Sequence, residues 1–443
     1  MIEMVVSFLV ATFFGVLSGL IPGVSVFVTL SLMYPFLMGI DPANALAVYV
    51  VVASLSQYFG SVSATIFAVP GSMTSIPSLI EGHELFRRGD GDRAIMYAAI
   101  GSFIGSLLSI MVSYIFIQYS YYMFSMFDTR IKMLLTFLCL IAFIVVSKNK
   151  YWISCAFIIL GFILAHVGMD KNTNTAFLTF GNNYLLSGLP TISVVLGIYV
   201  IPYILDQLEV GSRKIVMNKL QLSGYVVSFK NMLQHWGVVV RGFLIGYVSG
   251  FIPGVTYHLG TTLAYLLEKR IKKKQNKYQV GDIDCLVAAE TANNAGVFSQ
   301  IIPLFLVGLP ITSTQSFIYS IVESKGIHIT TNFFYHMLPY MMVVYMLSAI
   351  IGVFIAGKYV NWIRVFSRID FRYIYIFIIA MLFVVAYITG SMYGQSVYYV
   401  VLLIALIPIG YLLKSYDRTP IVFAFLLHDM LYYSIMTFNA LYL

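Results

Sequence analysis

With 443 residues, of which 60% are hydrophobic and only 10% charged, the chain cannot clothe a water-soluble domain, whose surface needs roughly 25% charged residues. Its mean hydropathy of +0.89 makes lipid the main solvent. The net charge of +8 is spread over short loops instead of one soluble face, which excludes a nucleic-acid footprint.

The apolar runs are continuous and of membrane-spanning length, so they read as helices and not as the alternating strands of a barrel. Cys139, Cys155 and Cys285 are scattered and form neither a metal spacing nor a disulfide framework. The first run, within 4–39, lacks a basic n-region and a cleavage site, so it reads as a span and not a signal peptide. It carries Gly15-Val-Leu-Ser-Gly19-Leu-Ile-Pro22-Gly23-Val-Ser25. A polar, glycine-bearing stretch follows at Gln57-Tyr-Phe-Gly60-Ser61-Val-Ser63, then Pro70-Gly71-Ser72-Met-Thr74 and a basic loop at Arg87, Arg88 and Arg93. Apolar runs at 94–118, 131–147, 151–167 and 186–206 lead to a second basic loop with Arg213, Lys214, Lys219 and Lys230. The run 232–268 contains Gly246-Tyr-Val-Ser-Gly250-Phe-Ile-Pro253-Gly254-Val-Thr256 and ends at the basic loop Lys269–Lys277. The segment 279–322 holds Glu290-Thr-Ala-Asn293-Asn294-Ala-Gly296 and Pro310-Ile-Thr312-Ser313-Thr314, and 333–356 leads to the fourth basic loop.

Placing the four basic loops in the cytoplasm demands an even number of crossings between neighbours, and the runs satisfy this. The loops 40–44, 168–183, 323–331 and 390–396 then lie outside, with both termini. The runs 4–39 and 232–268 are either crossing or re-entrant hairpins. Parity is the same in both cases.

The glycine-proline motif recurs at an offset of 231 residues with seven of eleven positions identical, and Pro70–Thr74 echoes Pro310–Thr314 at an offset of 240. Gly39–Asn44 has no Lys or Arg whereas its counterpart Lys269–Lys277 has six, so the copies point in opposite directions. The expected fold is an all-α polytopic transmembrane helical bundle with two inverted-topology repeats, 1–215 and 216–443, and broken or re-entrant helices. That is the pattern of alternating-access transporters; duplication in a protein of another function is the competing reading.

Broken helices expose amides at membrane depth, where they must be buried in protein or line a polar cavity. Their N-terminal ends suit a carboxylate. Ser25, Thr256, Ser72, Thr74, Thr312, Ser313 and Thr314 add hydroxyls, unless they only cap packing kinks. Asn293 and Asn294 offer two carbonyl oxygens to Na⁺, and Glu290 is able to carry a proton; a polar cap near Asp282 and Asp284 is the alternative. Gln57–Ser63 reads as the counterpart of this cluster in the first half. His428-Asp429 is either a proton shuttle or a satisfied interhelical pair. Arg241 sits where it is able to snorkel. Gly352-x-x-x-x-Gly357-Lys358 lacks the following Ser/Thr of a phosphate loop, because Tyr359 stands there.

Over nearly its whole length the sequence resembles the TctA-like large membrane subunit of the tripartite tricarboxylate transporters. The resemblance is carried by the Pro22-Gly23 region, Asp41-Pro42, Tyr58-Phe-Gly60-Ser61, Pro70-Gly71, Glu81-Gly82-His83, Gly161–Asp170 and Phe180-Gly181. It continues through Arg241-Gly242, Gly250-x-x-Pro253-Gly254, Glu268-Lys269-Arg270, Glu290-x-x-Asn293-Asn294-Ala295, Pro303-Leu304 and Gly308-Leu-Pro310. It differs from the family pattern at Ser25 and Thr256, at Phe59-Gly60 and at Pro310-Ile311. The resemblance implies a bacterial inner-membrane importer of di- or tricarboxylates, driven by Na⁺ or H⁺, with a small membrane subunit and a secreted solute-binding protein.

The substrate anion is then expected near Pro22–Ser25 (Pro22, Gly23, Ser25), Gly60–Ser63 (Gly60, Ser61, Ser63), Pro70–Thr74 (Pro70, Gly71, Ser72, Thr74) and Pro253–Thr256 (Pro253, Gly254, Thr256), with Pro310, Thr312 and Ser313. Glu290, Asn293 and Asn294 are expected to serve the coupling ion or the substrate. No cofactor and no catalytic residue are expected. The rivals are a standalone anion carrier or channel and, more distantly, a membrane-embedded transferase. The longest polar loop, 209–231, offers the transferase no nucleophile-base arrangement.

Overall fold

The computed structural model describes residues 2–21, 24–67, 73–124, 129–169, 175–210, 230–253, 256–326, 331–358 and 371–442. Pro22, Gly23, Pro70, Gly71, Ser72 and Gly254 lie outside the described residues, as does the side chain of Thr256. In chain order the helices are α1 Ile2–Leu20, α2 Val26–Leu32, α3 Tyr34–Gly39, α4 Pro42–Phe67, α5 His83–Arg87, α6 Gly91–Phe124, α7 Thr129–Val146 and α8 Tyr151–Ala165. They continue with α9 Asn183–Leu186, α10 Thr191–Val195, α11 Ile201–Val210, α12 Trp236–Ser249, α13 Thr256–Lys274, α14 Ile283–Ser299, α15 Ile301–Val307 and α16 Ser313–Ser324. The last four are α17 Thr331–Lys358, α18 Phe371–Met392, α19 Ser396–Leu412 and α20 Thr419–Tyr442. Five-residue π turns at Ser78–Gly82 and Leu196–Val200 lead into α5 and α11. A two-residue antiparallel pairing of Gly168–Met169 with Ala176–Phe177 is the sheet structure among the described residues.

Among the described residues six helices are long and apolar enough to cross a membrane, and four shorter apolar helices accompany them. The protein is therefore a multi-pass, all-α membrane bundle. Its exposed side chains fit lipid: Leu9, Leu134, Ile141, Val401 and Ile404 all stand outside the core.

Two helical hairpins organise the middle of the bundle. In the first, made of α1 with α2 and α3, α1 packs parallel to α4, and in the second, made of α12 with α13, α12 packs parallel to α14. Glycine sets both contacts. A Cβ on Gly19 would lie 2.6 Å from Phe59 Cβ and Ser56 O and 2.7 Å from Gly60 N. One on Gly250 would lie 1.8 Å from Ser299 Oγ, 2.8 Å from Gly296 O and 3.1 Å from Gln300 N. Only a missing side chain lets the backbones approach this closely. The positions met by the two glycines, 56, 59, 60 and 296, 299, 300, differ by 240. That register pairs Glu290–Gly296 with Val50–Ser56, not with Gln57–Ser63 as the polar composition suggested. Packing of small residues, which composition does not record, decides the register.

The open ends of the hairpins lie at opposite ends of the bundle. At one end Glu3 Oε1 accepts from Asp41 N at 2.7 Å and Asn44 Nδ2 at 2.9 Å, and Lys325 Nζ donates to Leu37 O at 2.8 Å. At the other, the buried carboxylate of Glu81 accepts from Tyr265 and Tyr278 hydroxyls, both at 2.9 Å, and from Gly281 N at 2.6 Å and Asp282 N at 2.9 Å. His235 and Lys272 both pair with Asp284 there. The 26-residue α4 runs between the two ends, covering about 39 Å at 1.5 Å per residue.

Candidate functional site

Two helix starts meet at a cavity of about 560 Å³. Ser25 caps α2, its hydroxyl accepting from Val28 N at 3.3 Å. Thr312 caps α16, accepting from Gln315 N at 3.1 Å. The second start exists because α15 ends at Gly308, whose φ of 74° closes the helix. Pro310 follows and, without an N–H, prevents the helix from resuming at once. Ser25, Thr312, Ser313 and Thr314 all line the cavity, and the 12-residue α16 presents its positive N-terminal end to it.

Four buried polar atoms at the cavity have no hydrogen-bond partner among the described residues: Tyr49 Oη, Ser313 Oγ, Gln300 Oε1 and His258 Nδ1. Buried polar groups are nearly always bonded, so this cluster is arranged for something polar that enters. The mouth is cationic. Lys148, Lys414 and Arg418 line it together with Asp417. Arg418 donates to Gly410 O and Asp206 Oδ2, each at 2.9 Å, and Lys414 pairs with Glu209 at 3.1 Å.

A second polar centre surrounds Glu290, which is fully buried in α14. Ser61 Oγ donates to its Oε1 at 2.6 Å, Ser78 donates to the same oxygen, and Ser102 Oγ reaches Oε2 at 3.3 Å. Among the described residues no Lys or Arg pairs with it. Asn293 lies beside the carboxylate, yet none of the side-chain amide atoms of Asn293 and Asn294 makes a bond of good geometry. The main-chain oxygen of Asn294 accepts from Tyr345 at 2.8 Å. Ten residues of helix, about 15 Å, separate Glu290 from Gln300 at the cavity.

The sequence-predicted residues thus divide. Ser25, Thr312 and Ser313 reach the cavity. Ser61 does not; it joins Glu290, because Gly19 packing turns that face of α4 away from the cavity. Gly60 packs with its amide towards Gly19, Ser63 Oγ bonds Leu20 O at 3.4 Å, and Thr74 Oγ1 bonds Gln57 Oε1 at 2.9 Å. None of these four lines the cavity. Pro253 is half-buried at the second hairpin tip, and Pro310 is buried at the break. Arg241 pairs with Glu268 at 2.9 Å, so the pair, and not snorkelling, places it. His428 Nε2 lies 3.0 Å from His166 Nδ1, which makes an interhelical pair; the side chain of Asp429 lies outside the described residues.

Residues 5–423 match the Tripartite tricarboxylate transporter TctA family. The chain belongs to that family. This TctA-family protein is 26% identical over 318 residues to an uncharacterized 52.8 kDa protein in the TAR-I ttuC' 3' region of Agrobacterium vitis, a match covering 72% of this chain and 63% of that relative. It is 23% identical over 408 residues to an uncharacterized protein of Methanocaldococcus jannaschii, covering 90% of each. No solved structure matches it. The family is one of transport proteins and not of enzymes. The TctA-family motifs Glu290-x-x-Asn293-Asn294 and Gly308-Leu-Pro310 supply the buried carboxylate and the break that opens α16. The cavity's Lys148, Tyr199, Tyr203, His258, Gln300 and Arg418 carry no such motif. Polar residues inside apolar runs, as at His258 and Gln300, were the one available sign.

Proposed function

We propose that this protein is the large membrane subunit of a tripartite importer that moves small organic anions through the 560 Å³ cavity. The observation that carries this reading is the set of unbonded polar atoms, Tyr49 Oη, Ser313 Oγ, Gln300 Oε1 and His258 Nδ1, beside the start of α16, which favours a carboxylate. The halves 1–215 and 216–443 act as inverted repeats, supported by the glycine contacts at equivalent positions and by hairpins opening at opposite ends. Charge asymmetry of the loops supports periplasmic termini and a cytoplasmic Lys148–Lys414 mouth, which in this reading makes the conformation open inward.

Glu290 is the coupling group in this reading. A buried carboxylate without a counter-cation costs several kcal/mol (roughly, after relaxation), so it has reason to hold either a proton or a Na⁺, the latter with carbonyl oxygens from Asn293 and Asn294. A small membrane subunit and a secreted solute-binding protein complete the system.

The test is uptake of labelled di- and tricarboxylates into proteoliposomes under imposed Na⁺ or proton gradients, with and without the small subunit and native periplasmic extract. Gradient-driven uptake only with the additions is the expected result, and Asn293→Ala and Asn294→Ala should abolish it while leaving expression intact. Uptake without additions would replace the tripartite reading by a standalone carrier, and wild-type uptake in both variants would remove the Asn pair from the site.

A further inference from the structure

We infer that the cavity selects organic acids of low charge with a flat, apolar body, such as an aromatic monocarboxylate, over trianions such as citrate. This deepens the carboxylate reading above and rests on it.

The first ground is a count of charge. Each negative charge brought into a buried site needs a partner, or its desolvation is not offset. Two of the three cations at the mouth are already matched, Arg418 by Asp206 and Lys414 by Glu209. The Asp417 carboxylate adds a negative charge to the lining, although Ser147 Oγ at 3.3 Å and Thr419 N at 3.0 Å bond it. Lys148 is exposed, lines the cavity and has no ion pair or hydrogen bond among the described residues. One unmatched ammonium and the start of the 12-residue α16 serve one carboxylate, or a dicarboxylate at most. A third carboxylate would go unmatched.

The second ground is the wall. Seven of the 23 lining residues are Phe or Tyr, against 16% of the whole chain. Phe27 meets Tyr199 edge-on with ring centroids 5.4 Å apart, and Tyr199 lies parallel to Tyr203 at 6.2 Å. Tyr49 and Tyr257 bring further rings from α4 and α13. Such a wall offers stacking faces and edges to a planar apolar body. A volume of about 560 Å³ also lies within the range of pockets that enclose drug-sized ligands, more room than a six-carbon tricarboxylate needs.

The experiment is a thermal-shift titration of the full chain in lipid nanodiscs with benzoate, succinate and citrate, which needs no partner protein. Benzoate is expected to raise the melting temperature saturably, with an affinity at least about tenfold above that of citrate. Lys148→Met, at an exposed position, should weaken every acid by about tenfold or more. Tyr203→Leu should weaken benzoate while leaving succinate unchanged, a split that general loss of folding does not produce. Citrate binding as tightly as benzoate or more tightly would overturn the inference and leave the carboxylate reading standing. Equal weakening of benzoate and succinate in Tyr203→Leu would also overturn it. No shift with any of the three acids would overturn both.

Discussion

Replacing Glu290 by glutamine removes the group able to hold a proton or a cation in the middle of the bundle and almost nothing else. Ser61 and Ser78 donate to one carboxylate oxygen and Ser102 to the other. Hydrogen bonds to a charged acceptor contribute about 1.5–3 kcal/mol each, so Glu290→Ala, which strands three buried hydroxyls, should cost roughly 3–5 kcal/mol, the range for breaking a buried charged network. Glutamine keeps an acceptor where Ser61 and Ser78 converge. Its amide nitrogen takes the place facing Ser102, whose hydroxyl is free to rotate and accept. The net loss for Glu290→Gln is then about 1–2 kcal/mol, a shift of a few degrees at most in a chain of this size. Transport should respond very differently. If the carboxylate carries the coupling proton or cation, gradient-driven accumulation in proteoliposomes should fall at least about tenfold, while counterflow of substrate without a gradient continues. Melting temperature, accumulation and counterflow measured on one preparation separate the two roles. Wild-type accumulation by Glu290→Gln would refute the coupling role. A glutamine variant as unstable as the alanine variant would refute the hydrogen-bond reasoning.

The glycine contacts predict Gly250→Ala to be severe, because its Cβ would sit 1.8 Å from Ser299 Oγ and 2.8 Å from Gly296 O. Overpacking of this kind costs about 1–3 kcal/mol or more. Gly39→Ala, where nothing lies within 4 Å, is the control, and equal melting temperatures for the two would contradict the packing argument. At the polar start of α14, outside the apolar spans, burial opposes ionisation of Asp284, but His235 and Lys272 outweigh it and hold the carboxyl down at about 2. The folded value lies below the unfolded one near 3.9, so this stabilisation is complete above roughly pH 5 and is lost as pH falls towards 2. Asp284→Asn should lower stability by about 1–2 kcal/mol at neutral pH and shrink the decline between pH 5 and 3; a mutant with the wild-type acid limb would show that Asp284 makes no such contribution.

Membrane residence and the helical class follow from the sequence alone, since hydrocarbon leaves a continuously apolar run little alternative to a helix. The hairpin glycines are equally legible: Gly15, Gly19, Gly246 and Gly250 recur at fixed spacing because close backbone approach tolerates no side chain there. The break at Gly308–Pro310 and the hydroxyls that follow it were readable for the same reason, as local backbone chemistry is set by the residues themselves. The destinations of the polar side chains were not. Ser61, read as part of the substrate site, faces Glu290 across 229 residues of chain, because the Gly19 contact fixes which side of α4 looks where. Arg418 loses its free charge to Asp206, 212 residues earlier, and Lys148, Tyr199 and Tyr203 converge on the cavity from separate helices and a loop. Composition and motif record what a residue is able to do within one turn of helix. Which charges remain unmatched, and which rings share a wall, is decided only when distant helices pack in one register.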